Sequence, residues 1–261
     1  AHMTKLETRL LLFVHACNVN SGGNKMNVIT VDSGTTNTRA TLWKDDCPLY
    51  TASRPVGVRM TAIEGNNNAL KQAVSQVIQE ALSYGNKKAP AILLASGMIT
   101  SGLGLVEIPH LCAPITFDGL AKGIIKKKIE GLNYDQPIYF IPGIKNTDQK
   151  ISLGSCSAMD IMRGEETETV AMAVLSNSLK SSVFVLPGSH TKFVLLGENE
   201  EIQGCFTTLA GELLSVLTSD TILANSLHKK FADELNREAL LQGASDAQKW
   251  GLTKTVFGVR V

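Results

Sequence analysis

The segment Val28-Ile-Thr-Val-Asp-Ser-Gly-Thr-Thr-Asn-Thr-Arg39 recurs in altered form later in the chain, as Ser182-Val-Phe-Val-Leu-Pro-Gly-Ser-His-Thr-Lys-Phe193. Each copy contains an apolar run, a short loop of glycine and hydroxyl residues, a basic residue and a second apolar run. This order predicts two strands joined by a tight turn. Because the unit occurs twice, we expect two similar structural halves.

Loops of this composition are suited to anion binding. Glycine has no Cβ, so backbone N–H groups and hydroxyls can approach a phosphate closely. We expect the loops at Gly34 and Gly188 to face each other and hold a polyphosphate from two sides. One such loop alone is also compatible with an ordinary hairpin, and it is the pair that favours phosphate binding.

From Met26 onward the chain alternates strand-like and helix-like segments. Periodicity and apolar runs predict strands at 27–31, 38–43, 49–53, 91–95, 137–142 and 202–207. They predict helices at 68–82, 117–129 and 157–175, and mostly helix from 211 to 250. Asp118 is expected to cap the second of these helices. This order predicts an α/β fold with two halves, hinged near 168–181.

The predicted domains are residues 26–170 and 171–261. Residues 1–25 are interpreted as a tag or upstream extension, because Ala1-His2-Met3 looks like a cloning remnant. No apolar run has the length of a membrane span.

Composition restricts the function classes. A net charge of +1 and a pI of about 7.8 provide no basic surface for nucleic acid. Five cysteines without a C-x-x-C pair argue for free thiols in a reducing, cytoplasmic compartment and against a disulfide framework or zinc site. The sequence contains neither a G-x-x-x-x-G-K-[ST] loop nor the H-R-D and D-F-G segments of protein kinases.

Polar residues at the first loop suggest a nucleotide site. Asp32 ends a buried strand, where it would either hold a hydrated Mg²⁺ or cap its own turn. Thr35 and Thr36 can donate hydroxyl hydrogen bonds to phosphate oxygens. Arg39 either adds positive charge there or lies on the outward face of its strand.

An acidic segment, Asp160–Glu168, interrupts an otherwise apolar predicted helix. A glycine within a helix costs up to about 1 kcal/mol relative to alanine, so Gly164 indicates a close approach by backbone or ligand. Glu165 beside it could accept a hydroxyl proton as a general base. Glu166 and Glu168 are interpreted as parts of a solvated face.

Together these segments closely resemble the 2-dehydro-3-deoxygalactonokinases of the sugar kinase, heat-shock cognate and actin superfamily. The matching blocks are VDSGTTNTRATLW (31–43), ASGMITSGLGLVEIPHL (95–111), IPGI (141–144), DIMRGEETE (160–168), LPGSHTKFV (186–194) and TLAGELLSVL (208–217). The resemblance implies an actin-like ATPase fold, in which two RNase H-like halves with mixed sheets flanked by helices enclose a nucleotide cleft. It also implies ATP and Mg²⁺ as cofactors.

The resemblance assigns roles to particular residues. The first phosphate motif is matched by Asp32, Gly34, Thr35 and Thr36, with Arg39 beside them, and the second by Gly188, Ser189, His190 and Thr191. Gly164-Glu165-Glu166 falls where related kinases carry Gly-Asp-Gln with the catalytic aspartate, which makes Glu165 the implied base. The implied substrate contacts are Ser101, Glu107, His110 and Arg163.

The implied activity is phosphorylation of the 6-hydroxyl of 2-dehydro-3-deoxy-D-galactonate in galactonate degradation. Whether the protein forms a homodimer is left open by the sequence. Many family members have Ser-Arg-Gln-Gly-Trp where this chain has Ser101-Gly-Leu-Gly-Leu105, so another sugar or sugar acid remains an alternative. Relatives continue beyond the position of Val261, so the second half is expected to be incomplete. A catalytically impaired nucleotide- or sugar-binding protein of the same fold is therefore the other alternative.

Overall fold

The computed structural model describes residues 28–44, 47–84, 92–176, 181–230, 232 and 234–260. The expected tag or extension at residues 1–25 lies outside the described residues. No helix in the described ranges has the length and apolar character needed to cross a membrane.

Thirteen strands occur among the described residues: β1 (Val28–Ser33), β2 (Thr38–Lys44), β3 (Cys47–Arg54), β4 (Ile92–Gly97), β5 (Leu111–Cys112), β6 (Ile115–Thr116), β7 (Ile125–Lys127), β8 (Ile138–Phe140), β9 (Ile144–Lys145), β10 (Ile161–Met162), β11 (Ser182–Leu186), β12 (Thr191–Leu196) and β13 (Glu201–Thr208). The same part of the chain contains seven α-helices: α1 (Val58–Glu64), α2 (Asn68–Tyr84), α3 (Phe117–Lys122), α4 (Glu165–Leu175), α5 (Ala210–Ser219), α6 (Arg237–Trp250) and α7 (Leu252–Gly258).

The largest sheet has the order β3-β2-β1-β4-β8-β7. Strands β1, β2 and β3 form an antiparallel meander, whereas β4 pairs parallel with both β1 and β8. Short turns can join the antiparallel strands. The parallel pairing of β4 with β1 requires a crossover connection, which contains α1 and α2. This mixed order is the RNase H-like arrangement that the resemblance implies for the first half.

Helix α2 covers one face of this sheet. Its buried residues recur at helical spacing, and they are Leu70, Ala73, Val74, Val77, Ile78 and Ala81. They join a core that includes Ile29, Val31 and Leu93 from the strands. In a second hydrophobic cluster, Trp43 is fully buried, and its Nε1–H donates to Thr30 Oγ1 at 2.9 Å. Because β4 is buried along most of its length, its continuous apolar run is explained.

The second hairpin is formed by β11 and β12, as predicted from the repeat. It belongs to a four-stranded sheet of order β11-β12-β13-β6, in which β6 pairs antiparallel with β13. A third, small sheet has the order β10-β9-β5.

The chain divides into two compact units. The first extends to Val185 and also includes Phe193–Phe206, and the second comprises Leu186–Lys192 and Thr207–Val261. The predicted domain boundary between residues 170 and 171 stays a prediction.

Two helix predictions are wrong in part. The helix predicted at 117–129 ends at Lys122, because Gly123 terminates it and Ile125–Lys127 instead pairs with β8. Its cap is Thr116, whose hydroxyl accepts from the Gly119 N–H at 3.0 Å, whereas Asp118 lies in the first turn.

The helix predicted at 157–175 begins only at Glu165. The first half of the predicted helix is instead a short 3-10 turn, Cys156–Ala158, followed by β10. Gly164 is therefore not within a helix but immediately precedes one, with a φ of 113° that favours glycine. Between α5 and α6 the predicted helical stretch is likewise interrupted by turns.

Candidate active site

The first glycine loop connects β1 and β2. Its turn is closed by the Gly34 N–H, which donates to the Asn37 carbonyl at 2.9 Å. The Gly34 amide is thus already used within the loop, whereas Thr35 and Thr36 are exposed. A Cβ built on Gly34 would have no atom within 4 Å, so the space above this residue is open. The loop therefore offers a ligand an uncrowded surface with two threonines at its rim.

Asp32 and Arg39 are direct partners across the antiparallel pair of β1 and β2. Side chains of directly opposed residues project to the same face of a sheet. Burial raises the pKa of Asp32 to about 6, with Arg39 opposing the shift and Glu168 and Glu165 adding to it. Arg39 thus acts electrostatically on Asp32, as expected if both belong to one site.

Two glycines bring the start of α4 against the end of β1. A Cβ on Gly97, the last residue of β4, would lie 2.9 Å from Asp32 Oδ1. A Cβ on Gly164 would lie 3.4 Å from the Gly97 Cα. The close approach that the sequence predicts at Gly164 is thus present, but it occurs at the residue before the helix. Residue types alone do not single out Gly97, although its place at the end of a buried strand is a usable signal.

The first turn of α4 carries three carboxylates, Glu165, Glu166 and Glu168. The positive end of a helix dipole favours negative charge there. Glu165 Oε2 accepts from the Arg163 N–H at 2.9 Å, and both Glu166 oxygens accept from the Gly164 N–H at 2.9 and 2.8 Å. These carboxylates therefore fix the chain that leads into the helix.

The solvated-face interpretation is wrong for Glu166, which is entirely buried. The solvated-face interpretation assumes a helix that continues through Gly164. The helix instead begins at Glu165, and Glu166 is among its buried residues. Glu168 is half-buried and raises the pKa of Asp32, so it also faces the site. Glu165 is half-buried as well.

Burial raises the pKa of Glu166 to about 8, and repulsion by Glu165 acts in the same direction. A carboxyl group whose pKa is higher in the folded state makes the folded state less stable as pH rises from its unfolded value to its folded value. The raised pKa of Asp32 ends near 6, and the lowered pKa of His110 affects stability only below its ordinary value of 6.5. Between pH 6.5 and 8, Glu166 is therefore the residue of these three that still changes stability.

We expect the wild-type protein to lose about 1–2 kcal/mol of unfolding free energy between pH 6.5 and 8 that Glu166→Gln does not lose. Glutamine keeps the shape and an acceptor for the Gly164 N–H but has no titrating proton. Urea denaturation of both proteins at several pH values in this window measures the difference. Parallel curves for the two proteins would show that Glu166 is already ionised in the folded state.

Arg163 holds the loop that follows β4. Its Nη1 donates to the Thr100 carbonyl at 2.6 Å and to Thr100 Oγ1 at 2.5 Å, and its Nη2 donates to the Ile108 carbonyl at 3.1 Å. Nη2 also lies 3.2 Å from His110 Nδ1. The guanidinium thus binds three places on one loop. Its predicted contact with substrate stays a prediction, and this geometry favours a positioning role.

His110 is held as a neutral ring. Burial, together with the positive charges of Arg163 and Lys145, lowers its pKa to about 4. Since Nδ1 faces a guanidinium donor, we assign the proton to Nε2. Nε2 is buried and has no hydrogen-bond partner among the described residues. Its predicted role as a substrate contact stays a prediction.

The other two predicted substrate residues lie on the same loop. The Ser101 hydroxyl donates to the Met98 carbonyl at 2.7 Å, which leaves its oxygen able to accept a further hydrogen bond. Glu107 is exposed, and its carboxylate lies 3.7 Å from a Cβ position on Gly102. Ser101, Glu107 and His110 thus lie on one segment, and Arg163 contacts this segment from a distant part of the chain.

The second glycine loop connects β11 and β12. Gly188, Ser189 and His190 are exposed, and the Thr191 hydroxyl donates to the Gly188 carbonyl at 3.3 Å. His190 Nε2 lies 2.9 Å from a Glu212 carboxylate oxygen at the start of α5. Convergence of this loop and the first loop on one ligand stays a prediction.

The basic residues of the two copies differ. Lys192 is buried, and its Nζ donates to Thr207 Oγ1 at 2.7 Å, whereas Arg39 is half-buried beside Asp32. Arg39 and Lys192 therefore occupy equivalent positions in the sequence repeat but make different contacts.

Among the described residues no group of three or more His, Cys, Asp or Glu side chains could hold a metal ion. Mg²⁺ in nucleotide sites commonly has one or two carboxylates, with phosphate and water as its other ligands. Asp32, partly exposed and with a pKa of about 6, is largely ionised at neutral pH. A single carboxylate that contacts the ion directly or through water therefore fits this site.

The family model of the 2-keto-3-deoxy-galactonokinases matches residues 32–261. The chain belongs to this family. It is therefore a sugar-acid kinase of the phosphotransferase class, and the resemblance seen in the sequence is confirmed. The matched region begins at Asp32 and includes both glycine loops and Glu165.

Solved structures support the fold of this kinase. A Sinorhizobium meliloti protein assigned as a 2-dehydro-3-deoxygalactonokinase has 22% sequence identity and a TM-score of 0.65, covering 89% of this chain and 70% of its own. A Ppx/GppA family protein from Aquifex aeolicus has 13% identity over 87% of this chain and 61% of its own, with a TM-score of 0.42 that is too low to bear on the fold. Comparison with curated proteins gives no match. The predicted α/β fold of the actin-like ATPase type is confirmed.

Proposed function

We propose that this kinase transfers the γ-phosphoryl group of MgATP to the 6-hydroxyl of 2-dehydro-3-deoxy-D-galactonate. The family match over residues 32–261 supports the reaction class. The observation that carries the proposal is the junction of Gly97 and Gly164, which places the first turn of α4 beside Asp32. The carboxylate that we propose for metal binding and the candidate base are thus within electrostatic range of each other.

The donor side involves Asp32, Arg39 and the two glycine loops. Bound Mg²⁺ would neutralise charge on the phosphates. Asp32 would hold this cation directly or through water, and Arg39 would add positive charge on the same face. Thr35, Thr36 and Ser189 would donate hydroxyl hydrogen bonds to phosphate oxygens, with Gly34, Gly188, His190 and Thr191 shaping the loops around them.

The acceptor side involves Glu165. As the sugar hydroxyl oxygen forms its bond to the γ-phosphorus, the bond from that phosphorus to the bridging oxygen of ADP breaks. Glu165 takes the hydroxyl proton during this step and ADP departs with the bridging oxygen. The position of Glu165 at a helix N-terminus keeps its carboxylate oriented through the Arg163 N–H.

The loop from Ser101 to His110 would bind the sugar acid. Glu107 and the Ser101 oxygen can accept hydrogen bonds from sugar hydroxyls. The Nε2–H of His110 can donate to an oxygen once the loop adjusts. Because Arg163 is engaged within the protein, we place it behind this surface rather than in contact with the carboxylate.

Product analysis tests this function. Incubation of the protein with ATP, Mg²⁺ and 2-dehydro-3-deoxy-D-galactonate is expected to give a single phosphate monoester at C6 by ³¹P and ¹³C NMR, and EDTA is expected to abolish it. A panel of other hexonates and neutral sugars, followed by ADP release, is the control. Faster turnover of a neutral sugar would overturn the sugar-acid assignment.

The altered Gly102–Leu105 segment and the engaged Arg163 favour the alternative of a different sugar acid. The same panel decides between the two acceptors. Binding of MgATP in calorimetry without turnover of any acceptor would support the nucleotide-binding alternative instead. We also propose a cytoplasmic location, supported by the thiols of Cys47, Cys112 and Cys156, which form no disulfide.

A further inference from the structure

Each glycine loop packs against a second glycine farther along the chain. A Cβ on Gly57 would lie 2.4 Å from the Gly34 carbonyl oxygen and 2.5 Å from the Thr35 carbonyl carbon. A Cβ on Gly211 would lie 2.1 Å from the Gly188 carbonyl oxygen. Real Cβ atoms do not make contacts this short with backbone, so each loop keeps its position only with glycine behind it.

The two supports are equivalent within the repeat. Gly57 follows Gly34 by the same number of residues as Gly211 follows Gly188. Gly57 immediately precedes α1, and Gly211 lies in the first turn of α5. Each helix is the first α-helix after the third strand of its copy. The repeat therefore includes the support of the loop as well as the hairpin.

Hydrogen bonds from each helix start to the loop fix the direction of the loop peptides. The Val58 N–H donates to the Gly34 carbonyl at 3.1 Å and the Arg59 N–H to the Thr35 carbonyl at 2.9 Å. In the second copy the Glu212 N–H donates to the Ser189 carbonyl at 2.9 Å. The C=O and N–H of a planar trans peptide point in opposite directions. The N–H groups of Thr35, Thr36 and His190 therefore point away from the helix that holds the preceding carbonyl.

We propose that Gly57 and Gly211 are positioning residues that direct these three N–H groups at the phosphate oxygens of the nucleotide. The inference rests on the proposed function, because it requires the loops to bind a nucleoside triphosphate. Loss of either glycine moves the loop peptides away from the orientation that the helix imposes. Nucleotide binding then weakens, whereas the surface for the sugar acid is unchanged.

The test is calorimetric titration with MgATP, together with the KM of each substrate. Gly57→Ala and Gly211→Ala are each expected to raise the Kd for MgATP at least about tenfold and to leave the sugar-acid KM within about twofold. Gly243→Ala in α6 is the matched control, because a Cβ there has no atom within 4 Å. An equal rise in both KM values would indicate a general structural defect and overturn the inference.

A second variant pair acts on the helix start and leaves both glycines in place. Arg59→Pro removes the N–H that holds the Thr35 carbonyl, and the proline Cδ takes the place of the amide hydrogen beside that oxygen. Arg59 is exposed, so Arg59→Ala removes its side chain and keeps the N–H. Loss of the hydrogen bond and displacement of the Thr35 carbonyl predict a Kd for MgATP at least about threefold higher in Arg59→Pro than in Arg59→Ala. Equal affinities of these two variants would overturn the inference.

Gly34→Ala separates this inference from the proposed function. Its Cβ meets no protein atom, so the loop stays in place and only a bound phosphate would be crowded. The inference predicts weaker MgATP binding in Gly34→Ala, and a smaller effect of Gly34→Ala when Gly57→Ala is already present. If Gly34→Ala weakens binding while Gly57→Ala and Arg59→Pro do not, the positioning role fails alone. If wild type and all variants fail to bind MgATP, the proposed function itself fails.

Discussion

Glu165→Gln is expected to lower kcat about 100- to 1,000-fold, which is the contribution typical of a general base. Glutamine keeps the size of the side chain and an oxygen for the Arg163 N–H, so the start of α4 is preserved. It cannot accept the proton of the attacking hydroxyl. The Kd for MgATP is expected to change less than about twofold, because the side chain acts on the acceptor.

Glu168→Gln is the matched control for this prediction. It removes the same charge from the same helical turn, and Glu168 also raises the pKa of Asp32. We expect its kcat to stay within about threefold of wild type, because nothing assigns it a proton-transfer role. Comparable losses in the two variants would show that negative charge near Asp32, and not the base, is what turnover requires.

Replacement of Arg163 is expected to have the largest effect on stability. Arg163→Met leaves the Thr100 and Ile108 carbonyls and His110 Nδ1 without their donor. Buried polar groups that lose their partner cost about 1–3 kcal/mol each, so we expect a loss of about 3 kcal/mol in unfolding free energy. Arg163→Lys keeps one ammonium donor in place of the planar fork and should lose less. Urea denaturation measures both values.

The same variants decide whether Arg163 binds substrate. A positioning role predicts that Arg163→Met loses stability and activity together and that Arg163→Lys is intermediate in both. A direct ligand of the sugar carboxylate would instead raise the sugar-acid KM in both variants while the unfolding free energy stays near that of wild type. The second result would contradict the position that we give to Arg163.

Much of the first sheet could be predicted from local sequence. Helix α2 was predicted because its apolar residues recur at helical spacing, and β4 because its apolar run is continuous. The three strands before them are separated by turn residues, and the hairpin repeat gave the second copy. Each of these signals is carried by neighbouring residues, so no knowledge of distant contacts is needed.

The errors have a common physical cause. Ile125–Lys127 becomes a strand because β8 offers it a partner, and no local pattern shows that partner. Composition favours helix before Gly164, but the positive φ at Gly164 and its packing on Gly97 start the helix later. Glu166 is buried because the helix starts at Glu165. The sequence shows only a cluster of acidic residues, which does not predict burial.

The site was predictable only in part. The loops and Asp32 follow from residue types, whereas Glu165 became the implied base through the family resemblance. The glycines that position these groups, Gly97, Gly57 and Gly211, act through backbone contacts with distant segments. The equal spacing from Gly34 to Gly57 and from Gly188 to Gly211 is a signal in the sequence for two of these glycines.

A crystal structure with a non-hydrolysable MgATP analogue and 2-dehydro-3-deoxy-D-galactonate tests the central claim most directly. We predict that the terminal phosphate lies between the Gly34 and Gly188 loops, with the C6 hydroxyl about 2.6–3.2 Å from a Glu165 carboxylate oxygen. Phosphates bound away from either loop, or a C6 hydroxyl facing a different acid, would contradict the account.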